Sequence, residues 1–309
     1  MLLILRFLRN ISIVNRAGFC LDNKVKGDML MKKLLFFHIT VMIIVMCSCS
    51  RQDRGRLVLI KGGTFKNTHS NFCGKNIVVS DFYIGKYEVT QKEWVEIMGS
   101  NPSKFKGDDL PVEMVSWYDC IEYCNKRSIK EGFQPYYNID KKKIDTSNKS
   151  DIDSVKWTVT INKGANGYRL PTEIEWEYAA SGGQESENYK YSGSDNIDKV
   201  AWYWRNSGEQ YISEGEWHRF IVKGNHCKTK QVGLKKPNEL GLYDMSGNVR
   251  EWCWDWYVDS SSNIISGYQR ALRGGGWLGA EFACEISQRS GNSPNTKFDD
   301  QGFRVCRNK

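Results

Sequence analysis

The stretch that decides the fold lies in the second half of the chain, where residues 238–252 read NELGLYDMSGNVREW. Its centre, Gly247–Asn248, is typical of a tight turn, because both residue types tolerate left-handed backbone angles. After the turn, Trp252, Trp254 and Trp256 alternate at the period of a β-strand, so their rings are expected on one face. The pattern predicts a turn leading into a strand whose tryptophans line a core or groove rather than a sugar platform.

Two further strings accompany this stretch. Residues 167–180 read GYRLPTEIEWEYAA, and residues 272–277 read LRGGGW before a GFR triplet at residues 302–304. The first string contains Thr172 and Glu175, a capping box in which the two side chains satisfy free N–H groups of a first helical turn. A helix is therefore predicted to begin there.

Two more helix starts occur earlier in the chain. Thr90 and Glu93 form another capping box, and that helix is expected to end at Gly99. A further helix opens at Ser116, with Asp119 in its first turn. These signals are local, so they predict where helices begin without predicting how they pack.

The remaining pattern predicts strands and loops in one domain. Residues 57–60 and 77–87 alternate as strands around a Gly62–Gly63 turn. Residues 138–156 are polar and charged and predict a solvated loop or hairpin tip. With few helical periods in the second half, we expect one mixed α+β domain over residues 57–307.

The basic charge of the chain is concentrated in its leader. The 309 residues carry a formal net charge of +8. Residues 1–48 hold seven of the 44 Lys and Arg and two of the 36 Asp and Glu, so residues 49–309 carry only +3. Residues 49–309 are nearly neutral and so lack the excess of positive charge that is typical of nucleic-acid-binding proteins. No nucleic-acid partner is expected.

The N-terminal segment predicts export. From Met31 the chain reads MKKLLFFHITVMIIVMCSC, two lysines followed by an apolar run too short for a comfortable membrane span. Its end resembles a bacterial lipoprotein signal with Cys49 as the lipidated residue, and a plain cleaved signal is the alternative. We expect residues 1–48 to be a leader with its true start at Met29 or Met31. Residues 49–56 would then link a membrane anchor to the domain, on the periplasmic side or at the cell surface.

Cysteine and histidine counts limit the metal chemistry. Seven cysteines follow Cys49, an odd number with irregular spacing, so no disulfide framework is predicted. Cys120 and Cys124 are one helical turn apart and can share a core face. The four scattered histidines exclude a His-based zinc or iron site.

The order and spacing of the three strings resemble the formylglycine-generating enzyme family, also called the sulfatase-modifying-factor domain. The segments Gly62–Phe65 and Tyr87–Thr90 fit the same pattern. The resemblance covers nearly all of the chain after the leader. It implies an α+β, C-type-lectin-like fold: a twisted sheet, a few helices and extensive ordered loops.

Active members of that family oxidise a sulfatase cysteine to formylglycine with O2 and a copper ion held by two thiolates, soft ligands that select Cu(I). The resemblance places the first thiolate at Gly279 and the second at Cys284, so one ligand is missing. The family's serine in this segment is Gly276 here, and its pocket tryptophan is Arg250. Cys284 is thus a catalytic candidate or, alternatively, a buried inert thiol, and Cys306 is a candidate substitute ligand.

The resemblance also implies a calcium loop. Asp244 and Glu251 would supply side-chain oxygens, and Gly247 and Val249 would supply backbone carbonyl oxygens, all hard ligands that suit Ca²⁺. The alternative is that the two acids cap a turn and a strand without an ion. The family's second calcium site needs an asparagine where Trp202 stands, so that site is expected to be lost.

Three arginines, Arg273, Arg289 and Arg304, recur around the C-terminal strings. Because arginine offers five donors in a fixed geometry, we expect them to hydrogen-bond loop carbonyls.

Two functions remain open. One is a non-catalytic lectin-like domain of an exported lipoprotein, which binds a surface or secreted protein or a glycan where the family's active site lies. The other is a formylglycine-generating oxidase with copper as cofactor and a sulfatase polypeptide as substrate. The replacement at Gly279 favours the first.

Overall fold

The structure is a computed structural model that describes residues 56–65, 77–258 and 266–309, all within one compact unit. The leader and Cys49 lie outside the described residues, so export and lipidation stay predictions. Within the described ranges, no helix combines the length and the apolar character needed to cross a bilayer.

The helices begin where the capping boxes predict. Thr90, Ser116 and Thr172 each accept a hydrogen bond from the backbone N–H three residues later, and the acid at that position binds back to the cap. The first helix ends at Gly99, whose φ of 86° lies in the left-handed region. The described helices are α1 (Gln91–Met98), α2 (Trp117–Lys130), α3 (Glu173–Ala180), α4 (Ile197–Val200) and α5 (Arg219–Gly224), with 3₁₀ turns at Gly183–Glu185 and Glu281–Cys284.

The strands are mostly short, and long ordered connections separate many of them. Those of the described residues are β1 (Leu57–Ile60), β2 (Gly63–Thr64), β3 (Val78–Val79), β4 (Phe82–Gly85), β5 (Tyr137–Ile144), β6 (Trp157–Ile161), β7 (Tyr168–Arg169), β8 (Ala201–Trp202), β9 (Ser246–Gly247), β10 (Arg250–Trp256), β11 (Arg270–Arg273), β12 (Arg289–Asn292), β13 (Gln301–Gly302) and β14 (Cys306–Asn308).

Two four-stranded sheets organise the molecule. The first has the order β1-β4-β14-β7, so the C-terminal strand lies between two strands from earlier in the chain. The second has the order β12-β11-β10-β13, with β10 antiparallel to β11 and parallel to β13. Two-stranded pairs form between β2 and β3, β5 and β6, and β8 and β9.

Two predicted boundaries differ from the structure. The predicted strand over residues 77–87 is two strands, β3 and β4, separated at Ser80–Asp81, where an Asp81 oxygen accepts a hydrogen bond from the Gly62 N–H at 2.9 Å. The polar residues 138–156 are a hairpin, as one alternative had it. The strand β5 nevertheless continues through the lysines to Ile144, because its backbone pairs with β6.

The core is aromatic and lies on both faces of β10. Trp252 is fully buried in a cluster with α2, which also contains Cys120 and Cys124 on a shared face as predicted. Its neighbour Cys253 belongs to a second cluster, with Trp176 of α3. Because successive side chains of β10 point to opposite faces, the strand contacts both clusters.

The tryptophans of β10 have the predicted packing role. The Trp254 ring stacks on Tyr137 with a centroid distance of 5.0 Å. The Arg270 guanidinium carbon lies 3.7 Å from the Trp256 ring centroid and 3.9 Å from that of Trp117. An arginine packed between indole rings adds cation–π attraction to apolar burial.

The Thr172 cap gives a direct test of this local structure. Thr172→Ala removes the acceptor of the Glu175 N–H, which lies 3.2 Å away, so the free energy of unfolding should fall by about 1 kcal/mol in urea denaturation. Thr172→Ser keeps the hydroxyl and should unfold like the wild type. An equal loss in both variants would contradict a capping role.

Candidate functional site

The predicted calcium ligands lie on a tight loop that leads into β10. Asp244, Gly247 and Asn248 have positive φ values of 56°, 83° and 61°, which confirms the predicted bend. A Cβ on Gly247 would lie 2.4 Å from the Trp202 carbonyl oxygen, so this position requires glycine. The Gly247 N–H donates to the Gly274 carbonyl at 2.7 Å, and the Asn248 N–H donates to the Trp202 carbonyl at 2.8 Å. The backbone of the loop is therefore held by β8 and by the LRGGGW string.

Both carboxylate oxygens of Glu251 already have partners. Arg304 donates from Nε to Oε2 and from Nη2 to Oε1, each at 2.6 Å. The Trp176 indole N–H donates to Oε2 at 2.7 Å. All three side chains are fully buried. This is a bidentate, charge-assisted ion pair in the centre of the fold.

The Asp244 carboxylate is only half engaged. Its Oδ2 accepts a hydrogen bond from the Gly233 N–H at 2.7 Å, whereas the buried Oδ1 has no hydrogen-bond partner among the described residues. Burial raises the pKa of Asp244 to about 6.

Glu88, which the sequence analysis did not single out, braces the same loop. Its two oxygens accept hydrogen bonds from the Val249 N–H at 3.0 Å and from the Asn248 side-chain amide at 2.6 Å. Burial, reinforced by the charges of Asp244 and Glu251, raises the pKa of Glu88 well above its usual range.

These contacts test the predicted calcium ligands. The free, buried oxygen of Asp244 suits a metal ion, whereas both oxygens of Glu251 accept hydrogen bonds from Arg304. Among the residues that the structure describes, no group of three or more His, Cys, Asp or Glu side chains is arranged to hold a metal. The calcium set of Asp244, Gly247, Val249 and Glu251 therefore stays a prediction.

The two predicted thiolate positions do lie near each other. Gly279 closes a turn in which its N–H donates to the Gly276 carbonyl at 2.8 Å. A Cβ on Gly279 would lie 3.3 Å from the Cβ of Ala283, the residue beside Cys284. Cys284 is fully buried, and this burial raises the pKa of its thiol to about 12. Without a bound metal, the Cys284 sulfur is therefore a neutral thiol at neutral pH.

Cys306 is not a substitute ligand. It lies on β14 and packs in the cluster that contains Trp176, whereas Cys284 packs in a different cluster with Trp204. Burial also raises the pKa of the Cys306 thiol well above its usual range. The two sulfurs therefore belong to separate parts of the core.

Arg250 and Gly276, the two other positions that differ from the family pattern, both lie beside Asp300. Arg250 donates from Nη2 to Asp300 Oδ1 at 2.8 Å. A Cβ on Gly276 would lie 3.4 Å from the Asp300 Cβ. An ion pair therefore occupies the corner where the resemblance implies an apolar O2 pocket.

Glu113 is a further buried acid that no sequence signal marks. Its Oε1 accepts a hydrogen bond from the Phe105 N–H at 2.8 Å, and its Oε2 has no partner among the described residues. The Phe105 ring packs edge-on against Trp277, with centroids 5.4 Å apart. Burial raises the pKa of Glu113 to about 7.

The arginine prediction is confirmed, with partners that the sequence did not reveal. Arg304, Arg273 and Arg289 each donate to at least one loop carbonyl. Each also binds a carboxylate, which the prediction missed: Arg304 pairs with Glu251, Arg273 with Glu173 and Glu177, and Arg289 with Glu173.

The fold is that of a C-type-lectin-like protein of the formylglycine-generating-enzyme type. The chain belongs to the sulfatase-modifying-factor family, because residues 46–309 match the family model described as sulfatase-modifying factor enzyme 1-like domain. The resemblance and the α+β fold class expected from the sequence are both confirmed.

Among its relatives, the chaperone protein LppX of Paenibacillus barcinonensis is 53% identical over 283 residues, which covers 90% of this chain and 100% of the relative. The formylglycine-generating enzyme of Streptomyces coelicolor is 34% identical over 162 residues, 45% of this chain and 46% of the enzyme.

Solved structures agree on the fold. Treponema denticola variable protein 1 has a TM-score of 0.64 and 33% identity, over 82% of this chain and 95% of that one. The structure of CarF has a TM-score of 0.62 and 26% identity, over 82% of this chain and 98% of that one.

Glu251→Gln tests the central ion pair. The substitution removes the carboxylate that is bound directly to the buried Arg304 charge, so the free energy of unfolding in urea should fall by about 3–5 kcal/mol. Glu122→Gln, which breaks a surface pair with Lys141, should cost under about 1 kcal/mol. Similar small losses in both variants would show that the buried pair contributes little.

Glu113 should make stability depend on pH. Because its pKa is raised on folding, the folded state holds the proton more tightly than the unfolded state does. Its contribution therefore falls as pH rises from the ordinary glutamate value to about 7. Glu113→Gln should remove this decline from a series of urea denaturations across that pH range. An unchanged slope in the variant would refute the assignment.

Proposed function

We propose that the chain is a non-catalytic, exported binding protein that acts as a chaperone for another exported polypeptide. The observation that carries the proposal is that Gly279 supplies no sulfur at one of the two thiolate positions, while Cys284 at the other is fully buried. Without a pair of thiolates, Cu(I) lacks the soft ligands that the oxidation requires. The chain keeps the family's fold but lacks one of the two sulfur ligands that copper would need.

The relative named chaperone protein LppX supports the choice of role. The whole of that relative aligns with 90% of this chain, at 53% identity. The formylglycine-generating enzyme of Streptomyces coelicolor aligns over less than half of either chain. We therefore extend the chaperone role, rather than the oxidase role, to this chain.

An exposed aromatic surface supports a polypeptide partner. We define it by Trp217, Phe220 and Phe282, whose exposed fractions are 43%, 79% and 61%. Because contiguous exposed apolar patches mark binding surfaces, we propose that these three side chains contact a partner together. Such a surface would bind the exposed apolar segments of an incompletely folded protein.

Polar contacts hold this aromatic surface beside the thiolate positions. The Trp217 indole N–H donates to the Leu278 carbonyl at 2.6 Å. Arg205 pairs with Glu281 and also donates to the Gly215 carbonyl at 3.1 Å. The segment that carries Trp217 is therefore tied to the loop that contains Gly279. The surface adjoins the site where the family's enzymes work.

A glycan partner has less support. Trp254 and Trp256, which alternate along β10, are both packed against the Arg270 guanidinium. Sugars bind aromatic faces that are open to solvent, and these faces are engaged within the protein.

The proposal places the protein outside the cytoplasm. The signal before Cys49 would direct export, and lipidation of Cys49 would hold the domain at the membrane surface. A chaperone anchored there would meet its client as the client emerges from the membrane.

The chaperone role predicts suppression of aggregation. The full chain should reduce light scattering from a chemically denatured secreted protein, such as α-lactalbumin held reduced. The Phe220→Asp, Phe282→Asp double variant should lose most of this effect, because it places charges on the aromatic surface. Ile152→Asp alters an exposed apolar residue of a different loop and should retain the effect. No suppression by the wild type, or equal suppression by all three proteins, would contradict the proposal.

The oxidase alternative has its own test. The full chain, with Cu(I) and O2, should leave a peptide containing the Cys-x-Pro-x-Arg sulfatase motif unconverted in mass spectrometry. Formylglycine produced by the wild type and absent with Cys284→Ser would establish the oxidase instead.

A further inference from the structure

We propose that the aromatic surface of Trp217, Phe220 and Phe282 selects polypeptide segments in which acidic residues flank apolar ones, a proposal that rests on the chaperone role proposed above. A group of cations, which that role leaves unexplained, adjoins the surface. Acidic flanks of a client are attracted to these cations, and basic flanks are repelled. The surface thereby distinguishes among exported clients by their charge as well as by their apolar residues.

Positive charge is concentrated in the segment around Trp217. Residues 214–236 contain six Lys and Arg against two acids, Glu214 and Glu216, which gives a net charge of +4. Residues 49–309 as a whole carry only +3. This one segment therefore accounts for the excess of positive charge after the leader, and both of its acids precede the tryptophan.

Three cations of the segment are available to a partner. Arg219, Lys223 and Lys228 are exposed, and within the described ranges none of their side chains forms an ion pair or a hydrogen bond. Arg219 and Lys223 are one turn apart on α5. Lys223 also lies three positions after Phe220, a spacing that puts both side chains on the same side of the helix. Positive charge therefore lies beside the exposed Phe220 ring.

The acid that adjoins Phe282 does not cancel this charge, because it is bound within the chain. Glu281 accepts a hydrogen bond from the Arg205 Nε through its Oε1 at 2.5 Å. Its Oε2 accepts the Trp204 indole N–H at 3.0 Å. Both oxygens of Glu281 are therefore engaged, and the carboxylate has a counter-charge of its own.

A polypeptide fits this surface better than a lipid bilayer does. The helix α5 has six residues, and its exposed large apolar side chains are Phe220 and Ile221. It therefore lacks the extended apolar face with which amphipathic helices insert into a bilayer. The third aromatic residue, Phe282, comes from a different loop. A surface assembled from separate segments suits an extended peptide that crosses them.

The first experiment measures the binding of two fluorescent peptides to the full chain by anisotropy. Both peptides have the same apolar centre of leucine and phenylalanine, flanked by aspartates in one and by lysines in the other. At about 20 mM salt the aspartate peptide should bind at least about five-fold more tightly. At about 1 M salt the two affinities should converge, because salt screens exposed charges.

The outcomes separate this proposal from the chaperone role. Equal affinities at low salt, or tighter binding of the lysine peptide, would overturn the charge selectivity and leave the chaperone role in place. Binding of neither peptide would contradict the chaperone role itself.

The second experiment reverses the charges on α5. The Arg219→Glu, Lys223→Glu variant should lose the preference for the aspartate peptide. The Lys142→Glu, Lys143→Glu variant changes two exposed lysines of β5 and should keep it. A preference that persists in the first variant would overturn the role of these cations. Should that variant fail to fold, the affinities of the wild type at the two salt concentrations still decide the selectivity.

Vesicles of phosphatidylglycerol and phosphatidylcholine test a lipid partner. The wild type and both charge variants should sediment with the vesicles to the same extent, because the cations of α5 serve a polypeptide rather than a bilayer. Sedimentation that falls only in the Arg219→Glu, Lys223→Glu variant would overturn the proposal in favour of an anionic lipid surface.

Discussion

The buried ion pair between Arg304 and Glu251 is the interaction on which the rest of the structure depends. Glu251 belongs to β10 of one four-stranded sheet, and Arg304 lies two residues before β14 of the other. Trp176 of α3 donates to the same carboxylate. The pair therefore joins both sheets and a helix at one point. Because either charge alone would be buried without compensation, the two residues stabilise the fold only together.

Local features of this fold could be predicted from the sequence, and features that depend on distant partners could not. The helix starts at Thr90 and Thr172 need only residues three positions away, and the bend at Gly247 needs only its neighbours. In contrast, Glu251 and Arg304 are 53 positions apart, and their motifs reveal the residues but not the bond. The resemblance supplied the fold class, which periodicity alone did not.

The candidate site shows the same division. The resemblance places the two thiolate positions at Gly279 and Cys284, and this assignment stays a prediction. The neutral state of Cys284 follows from its burial, which is a tertiary property. No sequence motif marks Glu113, because its raised pKa comes from burial beside Phe105 and Trp277, which only the folded chain brings together. The bond from Arg304 to Glu251, at the end of the predicted calcium loop, likewise appears only in the folded chain.

We propose that this protein uses the scaffold of an enzyme family as a binding protein, because Gly279 supplies no thiolate at one of the two copper-ligand positions that the resemblance implies. The most direct test of this claim is the Cu(I) affinity of the full chain, measured by competition with a chromophoric chelator. We expect the protein to withdraw no copper from the chelator, and Cys284→Ser to behave identically. Tight binding of one Cu(I) per chain by the wild type, abolished in Cys284→Ser, would contradict it.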